Sequence, residues 1–472
     1  MQDNKAIHLL RTFSAWELRS LDDFLRSPFF NKQEKIISLW EILHPLSPEL
    51  DDPVLERKSL FAQIWPDTDY HERRLRYLLT DFARLIEAFW AYKDWDSKPL
   101  QREENLMWVY HQRQLLKYKQ QIRHRQGKQL ARENILSADL LQRRFQLAEY
   151  DLLTQNDQFS QLRSVQEVLD SLDEMYLLRH LRYACEGVNR ARIFAESPQT
   201  PLTPLLIEVL GTEAGQRISN PLIEAYRLAY LMLTNPTESE PAYFALKSIL
   251  WEETPWARLD VEALHSLALN FCIGRLNAGE EAFRQETFEM YRHSLEQEIL
   301  LDQNGVLADN HFKNLVAMGT RLQEYDWTES FIETFGQRLS PATADNAYRY
   351  NLAYLLIAQK QYSRVLRLLA QVEFTNVFYQ LGAKTILARV YYETADYESL
   401  LMLLKNFRAY LKREKSLSQQ QRKLYQNFSR ILQLMTRYQA GERVPRSGIE
   451  KALQQHAEMA ARSWILEKAA LL

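Results

Sequence analysis

The chain has 472 residues, of which 46% are hydrophobic and 25% are charged, and its formal net charge is -2. This balance is typical of an ordinary globular protein, and so small a net charge provides no global attraction to nucleic acid or to anionic membranes. The 12 glycines are too few for a fold of strands and tight turns, whereas the abundant Leu, Arg, Gln, Glu and Ala favour helices.

Two cysteines, Cys185 and Cys272, lie far apart, each within a helical pattern. They predict a reducing compartment in which both are buried apolar side chains, with a disulfide as the less favoured alternative. No apolar run follows a basic start at the N-terminus, so no signal peptide is predicted. No stretch approaches about 18 uncharged apolar residues, so no membrane partner is expected. These features predict a cytoplasmic protein.

Residues 1–97 are predicted to form a domain of short helices. A capping-box spacing from Ser14 to Glu17 predicts the first long one. The predicted helix starts are Ser14, residues 31–34, Pro53 behind Asp52 as the N-cap, and Asp69. Aromatic side chains spread over these helices at core spacing favour packing over a ligand cage. They are Phe29, Phe30, Trp40, Phe61, Trp65, Trp90 and Trp95.

Residues 98–197 are predicted to be a segment of long helices. From residue 100 onward the segment has no proline and only two glycines, Gly127 and Gly187. Because proline is the strongest helix breaker, three helices are predicted, over residues 100–126, 128–155 and 160–196.

One stretch of this segment, residues 113–132, carries seven basic side chains and no acid. Such a helix could follow a nucleic-acid backbone by neutralising phosphates. The overall charge is not basic and no nucleic-acid fold signature accompanies the run, so a solvated face pairing with acids elsewhere is the favoured interpretation. The possible polyanion-binding residues are Arg113, Lys117, Lys119, Arg123, Arg125, Lys128 and Arg132.

Residues 198–256 hold seven of the 15 prolines and are predicted to be a boundary with short helices. The residue before a proline avoids the helical region. The segment 197–204, with prolines at 198, 201 and 204, is therefore the predicted linker.

Residues 257–472 contain a repeat with a step of 35 residues. Trp327, Tyr362 and Tyr397 follow this step, each after a short polar turn. Four further positions keep it: Ala317, Leu352 and Leu387; Ser330, Val365 and Leu400; Phe331, Leu366 and Leu401; Thr334, Leu369 and Leu404. A period near 34 with helix–turn–helix content predicts a helical solenoid. A last helix from about Gly448 is predicted to cap its open apolar end.

The block with Asn351, Leu352, Ala353, Tyr362, Val365 and Leu366, and its copy with Leu387, Ala388, Tyr391, Tyr397, Leu400 and Leu401, resemble tetratricopeptide repeats. The resemblance covers residues 312–406 and is degenerate. The usual alanine is replaced by Val365 and Leu400, and the terminal proline is absent. The chain as a whole resembles helical-repeat proteins of Bacteroides-group bacteria, which implies no activity. The expected fold is therefore all-α, with an N-terminal helical domain and long helices followed by a tetratricopeptide-like superhelix.

In the tetratricopeptide family, the inner face of the first helices binds a peptide or a partner helix. Carried over by register, the resemblance implies that Tyr350, Tyr354, Thr385, Arg389 and Tyr392 face such a groove. Tyrosine and arginine are frequent in peptide sites. Aromatic residues at helical spacing are also common in packed cores, so packing or an intramolecular contact is the competing interpretation.

No common catalytic or ligand-binding constellation occurs in the sequence. Phosphate loops, zinc-type cysteine or histidine pairs and the G-x-S-x-G elbow are all missing. A single Glu-x-x-His, Glu262 with His265, lacks the second copy that a di-iron bundle needs. The sequence therefore predicts no metal, no cofactor and a non-enzymatic scaffold that binds a protein or peptide. Alternatives are a nucleic-acid-associated protein using residues 113–132, and an enzyme with an unrecognised helical site.

Overall fold

The structure is a computed structural model that describes residues 4–154, 161–191, 199–213, 215–218, 220–253, 255–370, 377–456 and 458–472. These residues form 23 α-helices, and no β-strand occurs among them. Two isolated β-bridges join Leu136 to Trp256 and Leu301 to Leu307. The predicted all-α fold class is confirmed.

The chain divides into two compact units. The first comprises Met1–Glu133 and Glu149–Gln161, and the second comprises Asn134–Ala148 and Leu162–Leu472. The described part of residues 198–256 lies inside the second unit, and the predicted domain bounds stay a prediction. Local pairing contributes to this unit: Leu136 exchanges backbone hydrogen bonds with Pro255 and Ala257, at 2.6 and 2.9 Å.

The first unit contains seven complete helices. They are α1 (Lys5–Leu10), α2 (Ala15–Arg26), α3 (Glu34–Leu43), α4 (Arg57–Ile64), α5 (Glu72–Asp96), α6 (Pro99–Gln112) and α7 (Leu116–Arg132). Short 3-10 helices occupy His44–Leu46 and Pro53–Leu55. The capping box of Ser14 and Glu17 is confirmed.

Two predicted helix starts in this unit are wrong by a few residues. Pro53 begins a 3-10 helix rather than α4, which starts only after Glu56. Asp69 does not cap α5, because the ring of His71 accepts the hydrogen bond from the backbone N–H of Arg74 instead. A histidine cap is not among the common N-cap residues, so the sequence pattern misplaces this start.

The core of the first unit is aromatic and aliphatic. Trp40 is completely buried, and its Nε1–H donates to Asp22 at 2.8 Å. Phe61 and Trp65 are also buried, whereas Phe29 is 82% exposed. The prediction that Phe29 belongs to this core is therefore wrong: it lies at the rim, edge-on to Phe30 with ring centroids 5.0 Å apart.

The predicted helix over residues 100–126 is two helices in the structure. Gln114 adopts a left-handed backbone conformation with φ of 55°, and the Leu115 N–H closes α6 by donating to the Tyr110 carbonyl. The chain reverses there, and α7 then continues through Gly127 to Arg132. A glycine inside a helix costs only about 1 kcal/mol, so Gly127 does not end it.

The second unit contains the remaining helices. They are α8 (Ala138–Thr154, whose residues from Glu149 belong to the first unit), α9 (Gln161–Ala191), α10 (Thr203–Leu210), α11 (Pro221–Thr234), α12 (Ser239–Leu250), α13 (Arg258–Asn277), α14 (Phe283–Glu296), α15 (Asp309–Arg321), α16 (Tyr325–Phe335), α17 (Ala344–Ala358), α18 (Tyr362–Leu369), α19 (Val377–Glu393), α20 (Tyr397–Arg413), α21 (Gln419–Gln439), α22 (Arg446–Gln455) and α23 (Arg462–Ala470). From α11 to α21, successive helices mostly pack on one another, and α15 also contacts α17, as α17 contacts α19.

In the region predicted to hold short helices, an asparagine and a proline fix where α11 begins. Pro221 occupies the first turn, and the Asn220 side chain accepts hydrogen bonds from the N–H groups of Leu222 and Ile223. Tyr226 of this helix is buried in the core of the second unit, where its hydroxyl donates to Asp260 at 2.8 Å. The first residues of the predicted linker 197–204 lie outside the described residues.

The repeat helices end in the same way. Gln323, Lys360 and Ala395 have φ values of 63°, 59° and 54°. The N–H of the following residue then donates to a carbonyl five positions back: Glu324 to Gly319, Gln361 to Leu356 and Asp396 to Tyr391, each at 2.9 Å. This is the Schellman type of helix end. The helices that follow these ends begin at Tyr325, Tyr362 and Tyr397. The predicted equivalence of Trp327 with Tyr362 and Tyr397 is therefore wrong by two residues, because Tyr325 holds the equivalent position.

The predicted last helix is also two helices, α22 and α23. Ala461, at the start of α23, has φ of 49°, and this left-handed residue changes the chain direction. Trp464 and Ile465 of α23 are buried in a cluster with Leu381 and Ala388 of α19. The end of the chain therefore packs on the repeat helices.

Candidate functional site

The five residues predicted to face a groove lie on two neighbouring helices. Tyr350 and Tyr354 lie on α17, and Thr385, Arg389 and Tyr392 lie on α19, which packs on α17. Spacings of three and four residues place each set on one side of its helix. We call these five residues the Tyr–Arg face. The structure brings them together, and whether they bind a partner stays a prediction.

Tyr350 fills the space that a glycine leaves on α19. An ideal Cβ at Gly382 would lie 2.3 Å from Cε2 of the Tyr350 ring, far inside van der Waals contact. The ring centroids of Tyr350 and Tyr379 are 5.4 Å apart. Burial raises the pKa of the Tyr350 hydroxyl above its ordinary value. Tyr350 therefore serves chiefly to pack α17 against α19.

Thr385 and Tyr392 are buried, which differs from what an open groove requires. The Thr385 hydroxyl donates to the Leu381 carbonyl within α19 at 2.8 Å. Tyr392 meets Trp464 of α23 edge-on, with the ring centroids 5.5 Å apart. Of the five residues, Tyr350, Tyr354 and Arg389 keep partial exposure.

Arg389 is a partly buried cation without an ion pair in the part of the chain that the structure describes. Its guanidinium carbon lies 5.4 Å from the centroid of the Trp464 ring, and its buried Nε has no hydrogen-bond partner. Burial lowers the pKa of Arg389, and the nearby Tyr354 and Glu393 offset only part of that shift. Such a group is costly to leave unsatisfied, and its Nε–H is a hydrogen-bond donor for which the described residues supply no acceptor.

The helix α23 covers the C-terminal end of the Tyr–Arg face. The Trp464 indole N–H donates to Oε1 of Glu393 at 2.7 Å. The Lys468 ammonium lies 2.9 Å from the same oxygen, and the side chains of Lys468 and Glu393 are 18% and 20% exposed. One carboxylate thus holds two side chains that are four residues apart on α23.

The segment before α23 is tied to α21. The Asn427 side-chain amide donates to the Glu458 carbonyl at 2.8 Å, and the Ala460 N–H donates to the Leu424 carbonyl at 3.2 Å. These bonds leave α23 directed back along the repeat helices. The sequence did not indicate Glu393, Trp464 or Lys468 as parts of the face. Its only signal was the spacing of Trp464 and Lys468, which puts both on one side of a helix.

The seven basic residues of the stretch 113–132, six of them on α7, form two groups. Arg123 forms a two-pronged hydrogen bond with Asp151, and Arg125 pairs with Glu103. Lys119 lies 5.6 Å from the centroid of the Tyr150 ring, and burial lowers its pKa. The other four residues are exposed and form no ion pair with any described residue. They are Arg113, Lys117, Lys128 and Arg132.

The histidine of the Glu-x-x-His pair, Glu262 and His265, lies in the protein interior beside a buried serine. His265 is buried, and its Nδ1 lies 3.0 Å from the Ser294 hydroxyl. Ser294 is completely buried, so this hydroxyl is closed to a substrate. Burial and the stacked ring of His293 lower the pKa of His265 to about 4. No group of three or more potential metal ligands occurs among the described residues.

No protein-family model matches the chain, and no curated protein or solved structure shows significant similarity to it. The tetratricopeptide resemblance therefore stays a prediction that rests on the residues quoted for it. Within the described ranges, no helix combines the length and apolar character that crossing a membrane requires.

Proposed function

We propose that the protein is a non-enzymatic interaction module that binds a segment of a partner protein on the Tyr–Arg face. One observation carries the proposal: the short helix α23 already packs on the face, where its Trp464 ring meets Tyr392, and its indole and Lys468 ammonium both reach Glu393 beside the face. A surface that holds one such segment offers the hydrogen-bond acceptor and the apolar contacts that another would use.

Arg389 adds to this support. A partly buried guanidinium whose Nε has no acceptor can gain a charge-assisted hydrogen bond from a partner. Such a contact is worth more at a desolvated position than on an exposed surface. A cationic contact point, Arg389, therefore lies beside an acidic one, Glu393.

The test compares capture by the unaltered chain with capture by three variants. Tagged protein is incubated with native lysate at low and at high salt, and bound proteins are identified. Tyr354→Ala and Arg389→Ala should each remove a discrete partner that survives high salt. The matched variant Arg367→Ala, at an exposed residue of α18, should retain it. A partner that all three variants retain would refute the proposal.

Nucleic-acid binding by residues 113–132 is the second candidate, favoured by four exposed cations that form no ion pair with any described residue, three of them on α7 and Arg113 in the turn before it. We propose testing it with Arg113, Lys117, Lys128 and Arg132 changed to Gln, since these four are free to contact phosphates. Binding of RNA or DNA should weaken with rising salt, and each lost phosphate contact should reduce the log–log slope by about 1. A flat salt response in the unaltered chain would eliminate this candidate.

A further inference from the structure

The contact between α23 and the Tyr–Arg face is anchored by side chains that another helix could supply. Trp464 and Lys468 lie four residues apart, and both reach Oε1 of Glu393. The indole is 8% exposed and meets the Tyr392 ring edge-on. The required chemistry is thus an aromatic N–H and an ammonium one helical turn apart.

The match between α23 and the face is incomplete. Over Arg389, α23 places the ring of Trp464, which leaves the buried Nε of Arg389 without an acceptor. The one acidic residue in the sequence of α23, Glu467, acts on Arg389 only through its charge and forms no ion pair with it: its side chain is 64% exposed and lies 3.4 Å from Lys468. A segment that also carried a carboxylate reaching Arg389 would satisfy a group that α23 leaves unsatisfied.

The helix α23 depends on tertiary contacts for its existence. It has nine residues, and isolated helices shorter than about 12 residues are marginal in water. It begins at Ala461, whose left-handed conformation is unfavourable for a residue with a Cβ. A competing segment that takes over its contacts with Glu393 and Tyr392 would leave α23 held only by the packing of Ile465 and by the hydrogen bonds of the preceding segment to α21.

We infer that α23 is an internal ligand that occupies the Tyr–Arg face until a helical segment of a partner protein replaces it. The partner segment carries an aromatic N–H donor and a lysine four residues later, together with an acidic side chain that reaches Arg389. This inference rests on the proposed function and specifies the class of partner. It also makes α23 a competitor, because the face can hold one segment at a time.

The first test uses the full-length chain and a synthetic peptide of residues 458–472 labelled with heavy isotopes, so that its fragments are distinguished from those of the chain. Amide hydrogen exchange of residues 462–470 in the chain is measured with and without excess peptide. Exchange should accelerate severalfold when the peptide displaces α23. A peptide carrying Trp464→Ala and Lys468→Ala should leave exchange unchanged. Equal exchange with both peptides would overturn the inference.

A second test removes the competition within the chain. The variant Trp464→Ala should bind the labelled peptide about tenfold more tightly than the unaltered chain, because occupancy of the site by α23 reduces the apparent affinity. The variant Leu466→Ala, at a partly exposed position of the same helix, should bind like the unaltered chain. Helix content and the unfolding midpoint establish that each variant is folded.

Exchanging the charges of Glu393 in the chain and Lys468 in the peptide tests the contact between these two residues. Glu393→Lys should abolish binding of the peptide, and a peptide with Lys468→Glu should restore it on that variant. Failure of the exchanged pair on a folded chain would overturn the assignment of Glu393. A doubled molar mass of the chain in solution would assign the face to α23 of a second copy, and would also overturn the inference.

The outcomes separate this inference from the proposed function. Partner capture that depends on Tyr354 and Arg389, together with no response to the peptide, would retain the proposed function and refute the role of α23. Displacement of α23 by the peptide without any captured partner that depends on these residues would support the exchange mechanism and refute the partner proposal.

Discussion

At the scale of single residues, two close contacts hold the surroundings of the Tyr–Arg face in place. The first is between Tyr350 and Gly382, where the missing Cβ makes room for the aromatic ring. The second is at Glu393, which accepts hydrogen bonds from α23 while Arg389 beside it forms no ion pair with a described residue. Each contact can be tested by one substitution.

Changing Gly382 to Ala should destabilise the second unit by about 1–3 kcal/mol, because the added methyl group overlaps the Tyr350 ring and the packed neighbours must move. The free energy of unfolding from urea titration measures the change. Gly274→Ala is the matched control: it lies inside α13 with no atom within 4 Å of the added Cβ, so it should stabilise by about 0.5–1 kcal/mol. A neutral Gly382→Ala would contradict the packing role of Tyr350.

Changing Glu393 to Ala should cost about 2 kcal/mol of unfolding free energy, because the partly buried Lys468 ammonium and the Trp464 N–H both lose their acceptor. Equilibrium unfolding monitored by circular dichroism provides the value. The neighbouring Glu398→Ala, an exposed change on α20, should remain within about 0.5 kcal/mol of the unaltered chain. Equal effects of the two substitutions would show that α23 is not held through Glu393.

At the scale of helices, one type of end organises the repeat. A left-handed residue is followed by an N–H that donates to the carbonyl five positions back. The end lies where the polar turns before Tyr362 and Tyr397 were predicted, whereas the turn predicted before Trp327 is misplaced together with Trp327, because α16 already begins at Tyr325. The aromatic side chains vary in spacing, whereas the left-handed residue fixes where the next helix begins.

Ala395 is the most direct probe of this helix end, because its φ of 54° is strained for alanine and accessible to glycine. Ala395→Gly should stabilise the chain by about 0.5–1 kcal/mol, the relieved strain exceeding the added entropy of the unfolded state. Thermal unfolding measures the change. Ala370→Gly provides the contrast, because Ala370 has a right-handed φ of -67°, and this change should not stabilise. Destabilisation by Ala395→Gly would contradict the account of the turn.

The free energy of unfolding should depend on pH through His265, which lies on α13 and contacts Ser294 of α14. The pKa of His265 is about 4 in the folded protein, against about 6.5 in the unfolded chain. The unfolded state therefore binds the proton first as pH falls, and stability is lost between about pH 6.5 and pH 4, by about 3 kcal/mol in total. Above that window the contribution is fully present.

The variant His265→Leu should lack this component, so the difference in unfolding free energy between it and the unaltered chain should change with pH across that window. His8→Gln, a change at an exposed histidine, should leave the slope in place. Parallel pH profiles for His265→Leu and the unaltered chain would contradict the assignment.

At the scale of the whole molecule, composition was sufficient to predict an all-α chain, because few glycines and many strong helix formers leave little room for strands. The tetratricopeptide resemblance, carried over by register, implied that Tyr350, Tyr354, Thr385, Arg389 and Tyr392 belong to one surface, and helical spacing relates only those on the same helix. The solenoid arrangement stays a prediction.

The covering of the Tyr–Arg face by α23 was not predictable from the sequence pattern. Trp464 and Glu393 are 71 residues apart, and a single sequence contains no periodic signal for a contact of that separation. The pairing of Leu136 with Pro255 and Ala257 was not predictable for a similar reason, since it depends on backbone groups that carry no residue signature. Helix ends at Gln114 and Ala461 were missed because non-glycine residues rarely adopt positive φ.

The most direct test of the central claim places a photo-crosslinking amino acid at Tyr354 in the full-length chain inside living cells. Irradiation should produce a discrete adduct with another protein, and the same amino acid at Tyr183, which is 69% exposed on α9, should not produce that adduct. Crosslinks from Tyr354 that join only residues of the chain itself, or the same adducts from both positions, would contradict the claim that the Tyr–Arg face binds a partner.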